Sequence, residues 1–199
     1  MIENIKIYYA KMPIVTKYDI PISRSRKIYV DTFTNENAKA QRYWASVLLE
    51  KALGDFGVSF NNLTLNQTES GKWVCDRACF SISHSNGVVA VCVSNVNCGI
   101  DVEYFDKNRF STKLLGKISS NAEQVLCDNP LPKDVITIWT QKESIYKLGV
   151  IEKTVANINV QNYLTKTFFL SVDGQDYCLS CASTLKTDVE FSTPILVEL

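Results

Sequence analysis

FSISHSNGVVAVCVSNVNCGIDVE, residues 80–103, reads as an apolar strand, a polar Ser-His-Ser turn, a second apolar strand and a short strand ending in two carboxylates. Phe80 and Ile82 alternate with Ser81 and Ser83, the period of a half-buried strand. The run Val88 to Val93 is nearly all β-branched or small, as in a strand covered on both faces. In Gly99-Ile100-Asp101-Val102-Glu103 the alternation returns. Ile100 and Val102 share one face, Asp101 and Glu103 the other.

Two carboxylates on one strand face stand roughly 7 Å apart between Cα atoms. At an effective dielectric near 20 they repel by on the order of 2 kcal/mol. A fold does not need such a pair, and a hard cation turns the repulsion into binding. The alternative is two solvated surface acids, the commoner fate of a lone Asp-x-Glu.

Outward from this stretch, the 199 residues permit one large domain or two small ones. Hydrophobic content of 46% and charged content of 21% are those of a globular protein. Zero net charge removes any global electrostatic case for nucleic acid or membrane binding. The N-terminus places Glu3 and Lys6 inside any apolar core, so a signal peptide is not expected, nor is a bilayer-spanning run. The seven cysteines are an odd count and several sit in apolar runs, which points to a reducing cytoplasm. Cys178 and Cys181 are three apart on an expected strand, hence on opposite faces, which argues against a zinc pair.

Residues 2–9 are expected to open the fold as a strand. Arg24, Arg26 and Lys27 cluster in what reads as a solvated loop unless a partner is present. The spacing then predicts a helix from Asn35 to Leu53, with Asn35 as N-cap, Gly54 beyond its end and Ala40, Trp44, Val47, Leu48 and Ala52 as its buried stripe. Arg42 falls at the border of that stripe. Residues 54–79 are polar and turn-rich and include Gly71-Lys72. Lys107, Arg109, Lys113 and Lys117 interleave with Phe110, Leu114 and Leu115, a local basic and apolar patch suited either to an ordinary connection or to an acidic partner. Ser120 and Glu123 suggest a capping box for a short helix through Leu126. A second strong helix is expected from Val135 to Leu148, capped by Asp134 and closed by Gly149. Trp139, Glu143 and Lys147 lie at four-residue steps on one face of it, either as a surface ion pair or as part of a semi-buried site. Residues 155–199 alternate in short stretches around Asp173-Gly174 and read as a β-meander. Each half thus has one principal helix and several strands, which suits a duplicated α+β fold, 1–100 and 101–199, with a site at the seam.

Three blocks together resemble the phosphopantetheinyl transferase superfamily, in its larger, pseudo-dimeric type that activates peptide and polyketide synthetases. Ser81-Ile82-Ser83-His84-Ser85 is similar to that family's Asn/Ser-x-Ser-His-Ser motif. Gly99-Ile100-Asp101-Val102-Glu103 resembles its Gly-Ile-Asp-hydrophobic-Glu motif. Trp139 to Lys147, WTQKESIYK, resembles its Trp-x-x-Lys-Glu-Ser-x-x-Lys motif. Gly71-Lys72 looks like the start of its Gly-Lys-Pro, with Trp73 in place of the proline.

The resemblance implies two similar α+β halves related by a pseudo-two-fold axis, with coenzyme A bound between them. It implies transfer of phosphopantetheine to a serine of an acyl or peptidyl carrier protein, with release of adenosine 3′,5′-bisphosphate. By the same resemblance Asp101, Glu103 and Glu143 would ligate Mg²⁺, a donor set of hard oxygens that suits that ion. Glu143 and Lys147 would be catalytic, Lys147 facing the phosphate oxygens. The base at the carrier serine stays open between Glu143 and a water held by the ion, because a coordinated carboxylate has lowered proton affinity. Ser83 and His84 would bind a coenzyme A phosphate, and Lys72, Arg42 and Arg26 the nucleotide end. A cytoplasmic monomer is expected, with neither nucleic acid nor membrane as partner. The competing expectations are a Mg²⁺-dependent phosphohydrolase and a non-catalytic coenzyme A-binding relative.

Overall fold

The computed structural model describes residues 3–14, 17–58, 64–119, 129–150, 154–184 and 188–199. The chain is a mixed α+β protein. Its elements are β1 (Glu3–Lys11), α1 (Arg24–Asp31), α2 (Glu36–Asp55), β2 (Asn66–Gln67), β3 (Trp73–Val74), β4 (Cys79–Ser85), β5 (Val88–Ser94), β6 (Cys98–Tyr104), α3 (Thr112–Ile118), α4 (Pro132–Tyr146), β7 (Leu164–Val172), β8 (Gln175–Ser183), β9 (Val189–Phe191) and β10 (Ile195–Leu196).

Residues 80–103 supply three consecutive strands. β4 and β5 pair antiparallel, and the strand continues through Ser83-His84-Ser85, so the expected Ser-His-Ser turn lies two residues later. Asn86 and Gly87 make it, both with positive φ, the backbone that a two-residue hairpin of matching twist requires. β5 pairs in turn with β1, which takes β9 and β10 in parallel along its other edge. β6, β8 and β7 form a separate antiparallel sheet, its hairpin closed at Asp173-Gly174.

Strand alternation sorts the core into layers. Val89, Val91 and Val93 of β5 pack under Leu48, Leu49 and Leu53 of α2. Val88, Ala90 and Cys92 face the other way, against Ile100 and Val102 of β6 and Leu179 and Cys181 of β8. Cys178 lies on the opposite face of β8, packed with Val135 and Ile136 of α4. The result is helix, sheet, sheet, helix. Each fully buried aliphatic side chain contributes about 1.5–3 kcal/mol to holding the layers together.

α2 begins as expected, with the Asn35 side chain accepting from the Ala38 N–H at 2.9 Å, but it runs past Gly54 to Asp55. α4 starts earlier than expected, at Pro132, whose missing N–H costs nothing in a first turn. Asp134 caps it from inside, its carboxylate accepting from the Leu131 N–H at 2.9 Å. Residues 24–31, expected as a loop, are the helix α1, opened by the Ser23 hydroxyl. Residues 155–162, expected as a strand, form two 3-10 turns, Val155–Asn157 and Val160–Asn162. The Ser120–Glu123 capping box and Cys127 lie outside the described residues.

Candidate active site

The two sheets meet where β4 runs beside β6, and hydroxyl groups join them. Ser83 Oγ accepts from the Val102 N–H at 3.2 Å and donates to Asp101 Oδ1 at 2.9 Å. Ser85 Oγ repeats the pattern one step along, accepting from the Tyr104 N–H and donating to Glu103 Oε2, both at 3.1 Å. A period-two serine pair thus faces a period-two carboxylate pair. The serines take up β6 backbone N–H groups while aiming the acids at α4.

α4 lies almost in contact with the backbone of β6. A Cβ on Gly99 would stand 2.0 Å from the Ser144 carbonyl oxygen, so only glycine permits this approach. The small side chains of Ser144 and Ser180 are fully buried in the same layer, and Thr140 Oγ1 lies 2.8 Å from Ser180 Oγ. That closeness brings the four-residue repeat of α4 onto the carboxylates. Trp139 Nε1 donates to Glu103 Oε1 at 3.0 Å. Lys147 Nζ donates to Asp101 Oδ1 at 2.7 Å and to Ser83 Oγ at 2.9 Å. Glu143 stands one turn from each on the same helix face.

Burial raises the proton affinity of Asp101 above the ordinary carboxylate value, and Lys147 works against that rise. Glu143 is raised too, first by burial and then by the charge of Asp101. Three carboxylates therefore share a field that needs positive charge. Asp101 Oδ2 is buried with no hydrogen-bond partner. An unpaired buried carboxylate oxygen is costly, and a cation would satisfy it. With the side chains as they stand, no three His, Cys, Asp or Glu groups among the described residues are arranged to hold an ion. Asp101 nevertheless suits one through its unpartnered Oδ2, a hard oxygen donor beside the carboxylate of Glu143.

Beside the carboxylates opens a cavity of about 350 Å³, lined by Arg26, Arg42, Ser83, His84, Asp101 and Lys147, with Tyr29 and Trp73 among its walls. Most of the residues expected at the nucleotide end are thus together. Arg26 is buried, its Nε donating to Ser46 Oγ at 2.9 Å, and its guanidinium lies over the Trp73 and Tyr29 rings at 4.7 and 5.2 Å. Burial brings its pKa down to about 10, so it stays charged at neutral pH. Trp73, which departs from the Gly-Lys-Pro pattern, is one wall of that guanidinium slot. Arg42 stacks on Phe33 at 4.0 Å, and its Nε is buried without a partner. His84 is pushed down to about 4 by burial and then by Arg42 and Lys147, so it is neutral at pH 7.

Lys72 is placed differently. Its ammonium donates to Asn97 Oδ1 at 2.8 Å and to the Leu148 carbonyl at 2.9 Å, tying β3 to the end of α4. It borders a smaller adjoining groove of about 260 Å³, shared with Gly71, Trp73, Ile82, Tyr146 and Lys147. In the 104–117 stretch, Phe110 and Leu115 are buried against α4, which leaves the lysines, and not an apolar patch, at the surface.

Sequence reasoning assigned no site role to Ser85 or to the Trp139 N–H, and placed Arg109 only in the basic patch of residues 107–117. Arg109 holds both oxygens of Glu103, at 3.1 and 3.3 Å. The matched period of Ser83/Ser85 and Asp101/Glu103 was a readable signal for the first. Nothing in the linear pattern signals the last, which depends on a turn.

No helix among the described residues is long and apolar enough to cross a membrane. No curated protein matches the chain. Residues 97–182, less than half of the 199 but spanning β6, α4 and the β7–β8 hairpin, match the model of the 4′-phosphopantetheinyl transferase superfamily.

Proposed function

We propose that the protein transfers the phosphopantetheine arm of coenzyme A to a serine hydroxyl of an acyl or peptidyl carrier protein. The observation that carries this reading is the junction of Asp101, Glu143 and Lys147 with a cavity lined by Arg26, Arg42 and His84. A cluster of acids beside a cationic slot suits a diphosphate substrate whose reacting phosphorus sits between them. The family match over residues 97–182 supports the same chemistry.

In this reading the carrier serine oxygen forms a bond to the phosphorus that bears the pantetheine. The bond from that phosphorus to the bridging oxygen breaks, and its electron pair leaves on adenosine 3′,5′-bisphosphate. Asp101, Glu103 and Glu143 would hold Mg²⁺, which when bound supplies charge stabilisation to the diphosphate. Lys147, already oriented by Asp101 and Ser83, sets an ammonium beside the leaving oxygens. The serine proton passes to Glu143 or to a water beside it, because holding the ion would offset the rise in proton affinity that burial gives the Glu143 carboxylate. Arg26 and Arg42 bind phosphate at the nucleotide end. His84, neutral at pH 7, would offer a ring N–H to phosphate there. The exposed Lys107, Lys113 and Lys117 offer the carrier a basic surface.

The test is intact-protein mass spectrometry of an apo carrier protein incubated with coenzyme A, Mg²⁺ and the enzyme. The expected result is a phosphopantetheine adduct that needs Mg²⁺ and vanishes with Asp101→Ala and Glu143→Ala. Coenzyme A binding without an adduct on any carrier would overturn transfer in favour of a binding module, and release of free phosphate would indicate hydrolysis.

A further inference from the structure

A carboxylate has about four lone-pair sites, and on Glu103 all four are taken. Oε1 accepts from Trp139 Nε1 and from one arm of Arg109. Oε2 accepts from Ser85 Oγ and from the other arm. Asp101, two residues away on the same strand face, keeps an oxygen with no partner. The two acids of one motif are therefore unequally prepared for a cation.

The four donors to Glu103 are also unequal. Trp139 is set on α4 and Ser85 is fixed in β4, its hydroxyl engaged by the β6 backbone. Arg109 comes from a tight turn in which its N–H donates to the Asp106 carbonyl at 3.1 Å, with Phe110 buried next to it as an anchor. Its side chain is half exposed, at 51% against 14% for Glu103. An exposed guanidinium regains water when it lets go, whereas Trp139 and Ser85 cannot leave without disturbing α4 or the β4–β6 junction.

We propose that Arg109 is a resident counter-cation that competes with the divalent ion for Glu103, so that ion binding opens the Arg109–Glu103 pair. This rests on the metal reading given above. With the ion absent, Arg109 neutralises Glu103 and lowers the repulsion among the acids. With the ion bound, its charge replaces that of Arg109. The exchange sets how tightly the ion is held before coenzyme A arrives and frees a cation in the turn that carries Lys107.

The experiment is equilibrium binding of Mn²⁺ to the full chain, followed by electron paramagnetic resonance without coenzyme A or carrier. Arg109→Gln should bind Mn²⁺ roughly 2- to 5-fold more tightly than the wild type, the upper part of the range expected for a half-exposed charged pair. Lys107→Gln, which removes the same charge two residues away, should leave the affinity unchanged. Asp101→Ala should abolish binding. Unchanged or weaker binding by Arg109→Gln, or equal tightening by Lys107→Gln, would overturn the competition. If that occurs while Asp101→Ala still loses the ion, only the competition fails. A wild type that binds no Mn²⁺, or an Asp101→Ala variant that binds it normally, removes the metal reading as well.

Discussion

His84 is the chain's one histidine, so its titration can be read without assignment ambiguity. Its folded pKa, about 4, lies below the unfolded value of 6.5 because burial and two cations oppose its charge. Between those values the unfolded chain binds the proton and the folded chain does not. Its contribution to stability is therefore full above about pH 6.5 and is lost as pH falls toward 4. Glu50, raised to about 7 by burial, acts in the opposite sense over an overlapping window, so the bulk curve hides both effects. The difference between wild type and His84→Gln isolates the first: it should fall by about 1–2 kcal/mol from pH 7 to pH 5 in urea unfolding. In NMR the imidazole should titrate near 4 alone, and more than a unit higher with saturating adenosine 3′,5′-bisphosphate. Lys147 carries a second prediction. Lys147→Met leaves Asp101 buried beside Ser83 with no cation, so stability should drop by about 1–3 kcal/mol, discounted for the partial exposure of the lysine. Carrier modification should fall by at least about 100-fold, the scale for losing a group that stabilises developing charge. Modification within 10-fold of wild type would remove Lys147 from the chemistry.

At the scale of elements, the site is one helix face laid on one strand face. The helix repeats every four residues through Trp139, Glu143 and Lys147, and the strand every two through Asp101 and Glu103. They meet because Gly99 leaves no Cβ between them. Gly99→Ala would drive a methyl into the Ser144 carbonyl, which is backbone and cannot rotate aside. The variant should lose about 2–4 kcal/mol in thermal or urea unfolding, at and beyond the upper end of the usual range for an added methyl. Because α4 must move, its remaining folded fraction should also lose modification activity. Gly174→Ala, at a hairpin tip with open space but positive φ, should cost only about 1 kcal/mol and leave activity intact. Equal costs for the two would contradict the close-approach argument.

Across the whole molecule, the stacked sheets also touch edge to edge, and the β4–β6 contact is fastened by serine hydroxyls. Ser83→Ala strips Val102 of its N–H partner and Asp101 of a donor in a buried setting, at about 1–3 kcal/mol. Ser85→Ala, at a half-buried place where water can substitute, should cost about 1 kcal/mol or less. Amide exchange should separate them: the Val102 N–H should lose protection in Ser83→Ala and the Tyr104 N–H in Ser85→Ala. A Val102 N–H that stays fully protected in Ser83→Ala would mean that the junction is held by other contacts.

Local pattern alone was enough for the strands of residues 80–103, the cores of α2 and α4 and the faces on which Ile100, Val102, Asp101 and Glu103 lie, because period and β-branching are local properties. It also brought forward Asp101, Glu103, Glu143 and Lys147, whose spacing on one strand and one helix is legible without knowing where those elements go. The helix α1 and the burial of Arg26 were not legible, and Arg26 itself came forward only through the family resemblance. Arg24 to Lys27 carry no apolar residue, and Arg26 is buried between Tyr29 of its own helix and Trp73 and Ser46, which only the fold brings in. Lys72 read as a nucleotide contact, yet the structure spends its ammonium on Asn97 and the end of α4. Which hydroxyl meets which acid, and that Arg109 rather than solvent holds Glu103, were decided only by the tertiary structure. The hydroxyl contacts join strands that approach one another only through packing, and the Arg109 contact depends on the turn at Asp106; neither relation is encoded in the local periodicity.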